Sequence, residues 1–301
     1  MDETHRRDFL KLFGLGIGAT FASSLSGCGS RAHMAERAAA KDFLFLQISD
    51  THWGFEGAPN PEAKLTLPRT IDAINAIEKQ PDFIVFTGDL THRTTDIAVR
   101  RARMSEVKAM IATLKCKDVR LLAGEHDADQ DGGDVFRELL GPLTWSFDHE
   151  GVHFVGLDNV SRAEAKMGDE QIAWLQQDLA SIAIDTPLVV FAHRPLFDLF
   201  PQWDWATPDA QKATALFDKR PATTVFYGHI HQEHHHVIGN VSHHAARSLM
   251  FPLPAPGSVP KREPLAWNPG DATHGIGFRV VDRAGARSSL MEHAADGKPI
   301  A

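Results

Sequence analysis

The chain has 301 residues, 43% apolar and 23% charged, an ordinary globular composition with length enough for one large core. Its formal net charge of -8, with no basic cluster beyond the extreme N-terminus, argues against a nucleic-acid-binding surface. Seventeen histidines are an unusual number, and metal ligation is one common reason for such enrichment.

At the N-terminus, His5-Arg6-Arg7-Asp8-Phe9-Leu10-Lys11 precedes a weakly apolar stretch, Leu12 to Leu25, too short and too Gly-rich for a spanning helix. It resembles a twin-arginine export signal with Arg6 and Arg7 as the pair, which implies the twin-arginine translocase as a transient partner and a periplasmic or extracytoplasmic location. Leu25-Ser26-Gly27-Cys28 resembles a bacterial lipobox, implying lipidation of Cys28 and a membrane anchor. Cys116 would then be the single free thiol, with no intrachain disulfide. The organisation expected is an export signal over 1–28, a tether over 29–41, a catalytic domain over 42–293 and a tail over 294–301.

Within the domain, Phe43-Leu44-Phe45-Leu46-Gln47-Ile48 reads as a buried strand, and Gly54 to Thr66 as a loop rich in breakers. Pro68 to Gln80 has the apolar spacing of a helix that crosses back to a second strand, Asp82 to Thr87. Asp96 to Leu114 reads as a longer helix returning the chain to the strand at Val119 to Ala123. Val152 to Asp158 alternates less cleanly and is predicted to start a second sheet. Gln171 to Ile182 is an amphipathic helix leading into the strand Pro187 to Ala192, and Ala222 to Tyr227 is a further strand. Beyond it the pattern changes to hairpins: His234 to Ile238 with Val241 to Met250, and Gly277 to Asp282 with Ala286 to Met291. Parallel crossovers together with terminal hairpins predict an α/β fold of two mixed sheets flanked by helices.

Five of these strands deliver a metal-competent side chain at the C-terminal end, the edge where ligands bind in open α/β sheets. Asp50-Thr51-His52, Gly88-Asp89, Gly124-Glu125-His126-Asp127, His193 and Gly228-His229-Ile230-His231 stand in the order and spacing of the calcineurin-like metallophosphoesterases. The resemblance spans about Asp42 to Met291, and its last motif, with the segment from Gly151 through His193, looks most like the class III cyclic-nucleotide phosphodiesterase branch. It implies a four-layer α/β/β/α sandwich and two metal ions, Fe, Mn or Zn. Asp89 would bridge them, with Asp50, His52 and His231 on one and Glu125, His193 and His229 on the other. It further implies that a hydroxide shared by the metals attacks a phosphodiester, small-molecule or lipid, while His126 protonates or stabilises the leaving oxygen and Asp127 fixes the His126 tautomer. A helix-capping role for Asp127 stands beside that reading.

The family motif carries Asn where this chain has Glu125. Two carboxylates against two divalent cations leave a net +2, whereas a third carboxylate reduces it to +1 and weakens attraction for a phosphate anion. A mixed Fe(III)/divalent pair would restore the charge, a substrate less anionic than a phosphomonoester would need less of it, and the plain alternative is that Glu125 substitutes with reduced activity. The same substitution leaves open a non-hydrolytic dinuclear-iron protein, or a metal- or phosphate-binding protein, on this scaffold. His92 and Asp96 read as loop residues. His234, His235, His236, His243 and His244 read as a polar strand face, with a further metal site as the alternative. Phe197, Phe200, Trp203 and Trp205 form either the seat of a loop or a stacking surface for a flat substrate group.

Overall fold

The computed structural model describes residues 41–285 and 287–300. The export signal, Cys28 and the tether before residue 41 lie outside the described residues. In chain order the elements are β1 (Phe43–Ile48), α1 (Ala63–Ala76), β2 (Phe83–Thr87), α2 (Ile97–Ile111), β3 (Val119–Leu122), α3 (Glu125–Ala128) and α4 (Asp134–Leu139). They continue with β4 (Trp145–His149), β5 (Val152–Gly156), α5 (Asp169–Ala180), β6 (Leu188–Phe191), α6 (Ala210–Phe217), β7 (Thr223–Tyr227), β8 (His234–Ile238), β9 (Val241–Ala245), β10 (Gly277–Ala284) and β11 (Arg287–Ala294).

The strands form two mixed sheets, ordered β11-β10-β1-β2-β3 and β4-β5-β6-β7-β9-β8. β1, β2 and β3 run parallel, as do β5, β6, β7 and β9, while the hairpin strands close the edges antiparallel. Why the strands read as unbroken apolar runs is clear from β1. Leu44, Leu46 and Ile48 face outward and pack with Leu67, Ile71 and Ile74 of α1 and Met104, Val107 and Ile111 of α2. Phe43 and Phe45 face the other sheet, where they meet Phe154, Phe191 and Phe226. On the far side, Leu175 and Leu179 of α5 and Ala213 and Phe217 of α6 cover the second sheet. A strand buried on both faces cannot alternate with polar residues. The four layers are thus α/β/β/α, as expected.

One break in the apolar filling lies beneath the functional loops. Gln47 follows Phe45 on the inner face, and Arg279 of β10, fully buried, donates to its Oε1 (3.0 Å), to Glu292 of β11 and to the Ala245 carbonyl of the other sheet. Gln47 Nε2 also donates to the Tyr227 carbonyl (3.0 Å), so the two sheets are cross-linked by directional bonds as well as packing.

Several boundaries differ from expectation. α1 begins at Ala63, five residues ahead of Pro68, because the buried stripe Ala63, Leu67, Ile71, Ile74 extends upstream and its burial outweighs the hydrogen bond that Pro68 cannot make. β9 ends at Ala245, and the chain from there to Met250 runs past the ends of β1 and β7, with Ala246 N bonded to Tyr227 O and Leu249 N to Ser49 O. The residues after β11 fold back rather than trailing away: Ala295 is buried in the helix-side core, its carbonyl accepts from Thr70 Oγ1, and Ile300 N donates to Glu292 O.

Phe45 stacks on Phe83 at 5.0 Å and meets three further rings edge-on at the centre of the inter-sheet layer. Phe45→Ala is expected to cost about 3–5 kcal/mol of stability, read from urea denaturation.

Candidate metal centre

Each site residue follows the C-terminal end of a parallel strand, on a loop or, for Glu125, His126 and Asp127, in the short helix α3. Asp50, His52, Asp89, His229 and His231 all hold left-handed backbone conformations, with φ between 41° and 65°. Such conformations are costly for non-glycine residues and persist only where neighbours over-determine them. Here the loops brace one another: Asp50 N bonds to Gly88 O (3.0 Å), His52 N to Asp89 O (2.9 Å) and Gly228 N to His193 O (2.9 Å). Gly88, at φ 98°, lies against the His193 ring, and a Cβ on Gly124 would collide with Asp89.

Four overlapping groups of three metal-competent side chains result among the described residues: Asp50 with His52 and His231, Glu125 with His193 and His229, Asp50 with Asp89 and His193, and His52 with His92 and His126; the first two share no residue. Asp89 stands between them. Its Oδ2 is 3.5 Å from His52 Nε2 and 3.4 Å from His193 Nε2, while its Oδ1 accepts from His126 N at 2.9 Å. In the first group His231 Nε2 is 3.3 Å from Asp50 Oδ1 and 3.1 Å from His52 Nε2. In the second, Glu125 Oε2 is 2.7 Å from His193 Nε2 and Oε1 is 3.2 Å from His229 Nδ1.

These donors fit a pair of cations. His193 Nδ1 donates to Thr87 O (2.7 Å) and His231 Nδ1 to Phe251 O (2.8 Å), which directs each Nε2 lone pair inward, the usual arrangement of a ligating imidazole. The buried atoms Glu125 Oε2 and His193 Nε2 lack hydrogen-bond partners of good geometry despite their closeness. Burial opposes charge on Asp89, but the imidazoles of His126, His193 and His52 overcome it and hold its carboxyl well below the usual range. Burial likewise opposes charge on Glu125, and His229 and His193 hold its carboxyl low. Burial, then the neighbouring His126 and His231, push His52 well below an ordinary histidine, so it stays neutral, as ligation requires. His193 is raised, against its burial, by Asp89 and Glu125: its proton stands where the anions call for positive charge.

His126 Nδ1 accepts from Arg93 N at 3.0 Å, which leaves the proton of the neutral ring on Nε2. Asp127 therefore does not fix this tautomer. Its carboxylate is engaged by Leu90 N, Thr91 N, Thr91 Oγ1 and Gly124 N at 2.9–3.0 Å, and so ties the Asp89 loop to the start of α3. Burial and the nearby Asp89 push its pKa up to about 6 against those bonds. The capping reading of Asp127 is the one its contacts match. Asp96 caps α2 through Ala98 N and Val99 N, as a loop residue does, but His92 is no bystander: its Nδ1 is 3.5 Å from His52 Nδ1 and its ring packs on His126.

Sequence reasoning missed Arg194 and Asn159. Arg194 Nη1 lies 3.4 Å from Glu125 Oε1, and Asn159 Oδ1 accepts from both His193 N and Arg194 N. The adjacency of Arg194 to His193 was the available signal; nothing local marked Asn159. Trp203 and Trp205 are buried with Tyr227, Ile230 and Leu253, and Phe197 and Phe200 pack against them, so these aromatics seat a loop rather than offering a stacking face. The cleft above the centre, about 550 Å³, is lined by Arg93, Arg162, Arg194 and Arg262, by Asp129, Glu164 and Asp204, and by apolar residues such as Val160, Phe251 and Leu253.

Residues 43–233 match the model of the calcineurin-like phosphoesterase family. The chain belongs to that family. Membership makes this calcineurin-like phosphoesterase a metal-dependent phosphoester hydrolase of the dinuclear kind. It is 26% identical over 236 residues to a probable cyclic nucleotide phosphodiesterase of Rhodopseudomonas palustris, covering 72% of this chain and 83% of that one. A probable glycerophosphodiester phosphodiesterase of Arcobacter nitrofigilis is 27% identical over 164 residues, 50% of this chain and 57% of its own length. The fold is shared with a dimetal phosphatase from Danio rerio at 12% identity and a TM-score of 0.56, over 86% of this chain and 98% of that one.

The histidine-rich hairpin forms no further metal group of three among the described residues. His236 pairs across the strands with His243 and His235 with His244. His243 is 1% exposed, and burial, then His236 and His234, push it down to about 4. Above pH 6.5 it is neutral folded or unfolded; as pH falls from 6.5 toward 4 only the unfolded chain takes the proton. Its share of stability is therefore full above about pH 6.5 and is lost, by up to about 3 kcal/mol, on the way to pH 4. His243→Leu should lose less stability than wild type between pH 7 and 4.5 in urea melts.

Proposed function

We propose that this calcineurin-like phosphoesterase is an exported phosphodiesterase. The observation that carries the reading is the placement of the Asp89 carboxylate between the group of Asp50, His52 and His231 and that of Glu125, His193 and His229, with one oxygen toward His52 and His193 and the other held by His126 N. Asp50, His52 and His231 would hold one cation and Glu125, His193 and His229 the other, with Asp89 common to both. A donor set of carboxylate oxygen and imidazole nitrogen suits manganese, iron or zinc. The bound pair supplies Lewis-acid stabilisation of the phosphoryl oxygens and acidifies water toward neutrality.

The chain's own groups do the rest. His126, its Nδ1 occupied by Arg93 N, is left with Nε2–H as a hydrogen-bond donor, placed to stabilise the charge that develops on the leaving oxygen. Asp127 holds that loop against the Asp89 loop. The cleft mixes arginines with Asp129, Glu164 and Asp204, and Arg93 and Arg162 are paired with Asp129 and Glu170, so the attraction for the anion rests chiefly on the bound metals, while Val160, Phe251 and Leu253 offer apolar walls to the organic groups of a diester. The relatives named for cyclic nucleotides and for glycerophosphodiesters support the diester over a monoester. Export rests on the Arg6-Arg7 signal, and a lipid anchor on Leu25-Ser26-Gly27-Cys28.

Asp89→Asn removes the shared anion. It should lower bound metal from two ions toward one or none by mass spectrometry, and lower bis(p-nitrophenyl) phosphate turnover by more than about 100-fold, beyond what loss of a supporting group costs. Two metals without turnover in the wild type would instead favour the binding or redox reading. In cell fractionation, Cys28→Ser should move the protein from the membrane pellet to the soluble periplasmic fraction; an unchanged partition would remove the lipid anchor.

A further inference from the structure

Glu125 brings a third carboxylate to the centre, and the structure places a buried cation directly behind it. Arg194 is 5% exposed, and its Nη1 is 3.4 Å from Glu125 Oε1. The rest of its fork is committed to holding it there: Nε donates to Ala206 O (2.9 Å) and Nη2 to Asp204 O, with Asp204 Oδ1 at 3.2 Å. Its backbone is fixed by Asn159, which accepts from Arg194 N and donates to Arg194 O (3.0 Å). The Asp204 carbonyl also faces His229 Nε2 at 3.2 Å, so the guanidinium and one imidazole of the second metal group share an anchor. The Asp204 carboxylate is largely solvated, 73% exposed, and screens Arg194 little compared with the buried Glu125.

We propose that Arg194 is a positioning residue that neutralises the extra charge of Glu125, so that a dinuclear centre with three carboxylates attracts a phosphodiester anion as strongly as one with a neutral ligand at that position. The proposal rests on the dinuclear phosphoesterase reading. Its consequence is that two divalent ions suffice, and the charge argument for a trivalent ion falls away. An arginine serves better than a lysine for such a task, because it stays charged when buried and its fork fixes its direction.

Charge compensation and loop propping predict different patterns. Removing the cation leaves the centre one unit more negative, which should tighten metal and weaken anion binding; removing the Glu125 charge should do the reverse. The experiment compares wild type, Arg194→Gln, Glu125→Asn and the double variant, all loaded with Mn2+. It reads metal retention against a chelator series and the dissociation constant of inorganic phosphate. Arg194→Gln should weaken phosphate roughly tenfold, the scale of one charge several ångströms away in a partly screened site, while holding Mn2+ at least as tightly. Glu125→Asn should tighten phosphate and loosen Mn2+, and the double variant should return both toward wild type. Arg194→Lys, which keeps the charge, should retain most of the phosphate affinity even if Arg194→Gln folds poorly. Loss of phosphate and Mn2+ binding together in Arg194→Gln, undiminished in the double variant, would mean that Arg194 merely props the Asp204 segment. A wild type that binds no Mn2+ would overturn the phosphoesterase reading itself; a wild type that binds two and turns over, without the reciprocal pattern, overturns only the role of Arg194.

Discussion

Asp89 uses its two oxygens for different tasks, and most of the site follows from that division. Oδ1 is held by His126 N at the start of α3, which leaves Oδ2 facing His52 from one sheet and His193 from the other. A carboxylate aimed at two imidazoles from different sheets requires the two sheet edges to meet within a few ångströms. That explains the bracing bonds between the β1 and β2 loops, the contact of β7 with β6 through Gly228 N and His193 O, and the absence of room for a side chain at Gly124. It also explains why Asp50, His52, Asp89, His229 and His231 accept left-handed backbone conformations: only a sharp reversal immediately after the strand returns the side chain over the strand ends.

The same demand reaches into the core. Between the sheets the layer is phenylalanines with Val and Leu until Gln47, where Arg279 and Glu292 bring polar groups. Packed rings alone tolerate sliding of one sheet on the other, because dispersion is not directional. Arg279, bonded to Gln47 within its own sheet and to Ala245 O in the other, fixes their offset close to where the ligands must converge. Buried polar networks of this kind gain little net stability but specify one arrangement, and a centre assembled from both sheets needs one arrangement.

Much of this was legible in the sequence, for a physical reason. A strand buried on both faces must be continuously apolar, and Asp and His are common metal ligands, so the run ending in Gly-Asp or Gly-His-Ile-His announces both element and site. What escaped was set by contacts remote in sequence. Strand β4 is only half-buried and pairs only with β5, so its apolar signal is weak. The start of α1 was hidden by Pro68, whose local preference for a helix start lost to the burial of residues upstream. The resemblance implied Asp127 as the partner of His126, with capping as the alternative, and its contacts follow the alternative. Its four donors come from Gly124 and from the Asp89 loop some 36 residues earlier. Arg93, which sets the His126 tautomer through its backbone N–H, could not be found by any reading of side-chain types.

Glu125 shows how a departure from a family pattern is resolved in three dimensions. Considered with the ligands alone, a third carboxylate lowers the charge of the centre and makes a trivalent ion attractive. Beside Arg194, that pressure is relieved within the protein, and the two residues form one unit whose net charge is that of the neutral side chain they replace. The arrangement is directional as well as electrostatic, since Asp204 O takes Arg194 and meets His229. A cation fixed to this framework would share the field of bound metals without being exchangeable, so attraction for a phosphoester anion would depend less on which divalent ions the cell supplies. Metal choice then follows ligand type and availability, and anion binding follows the protein.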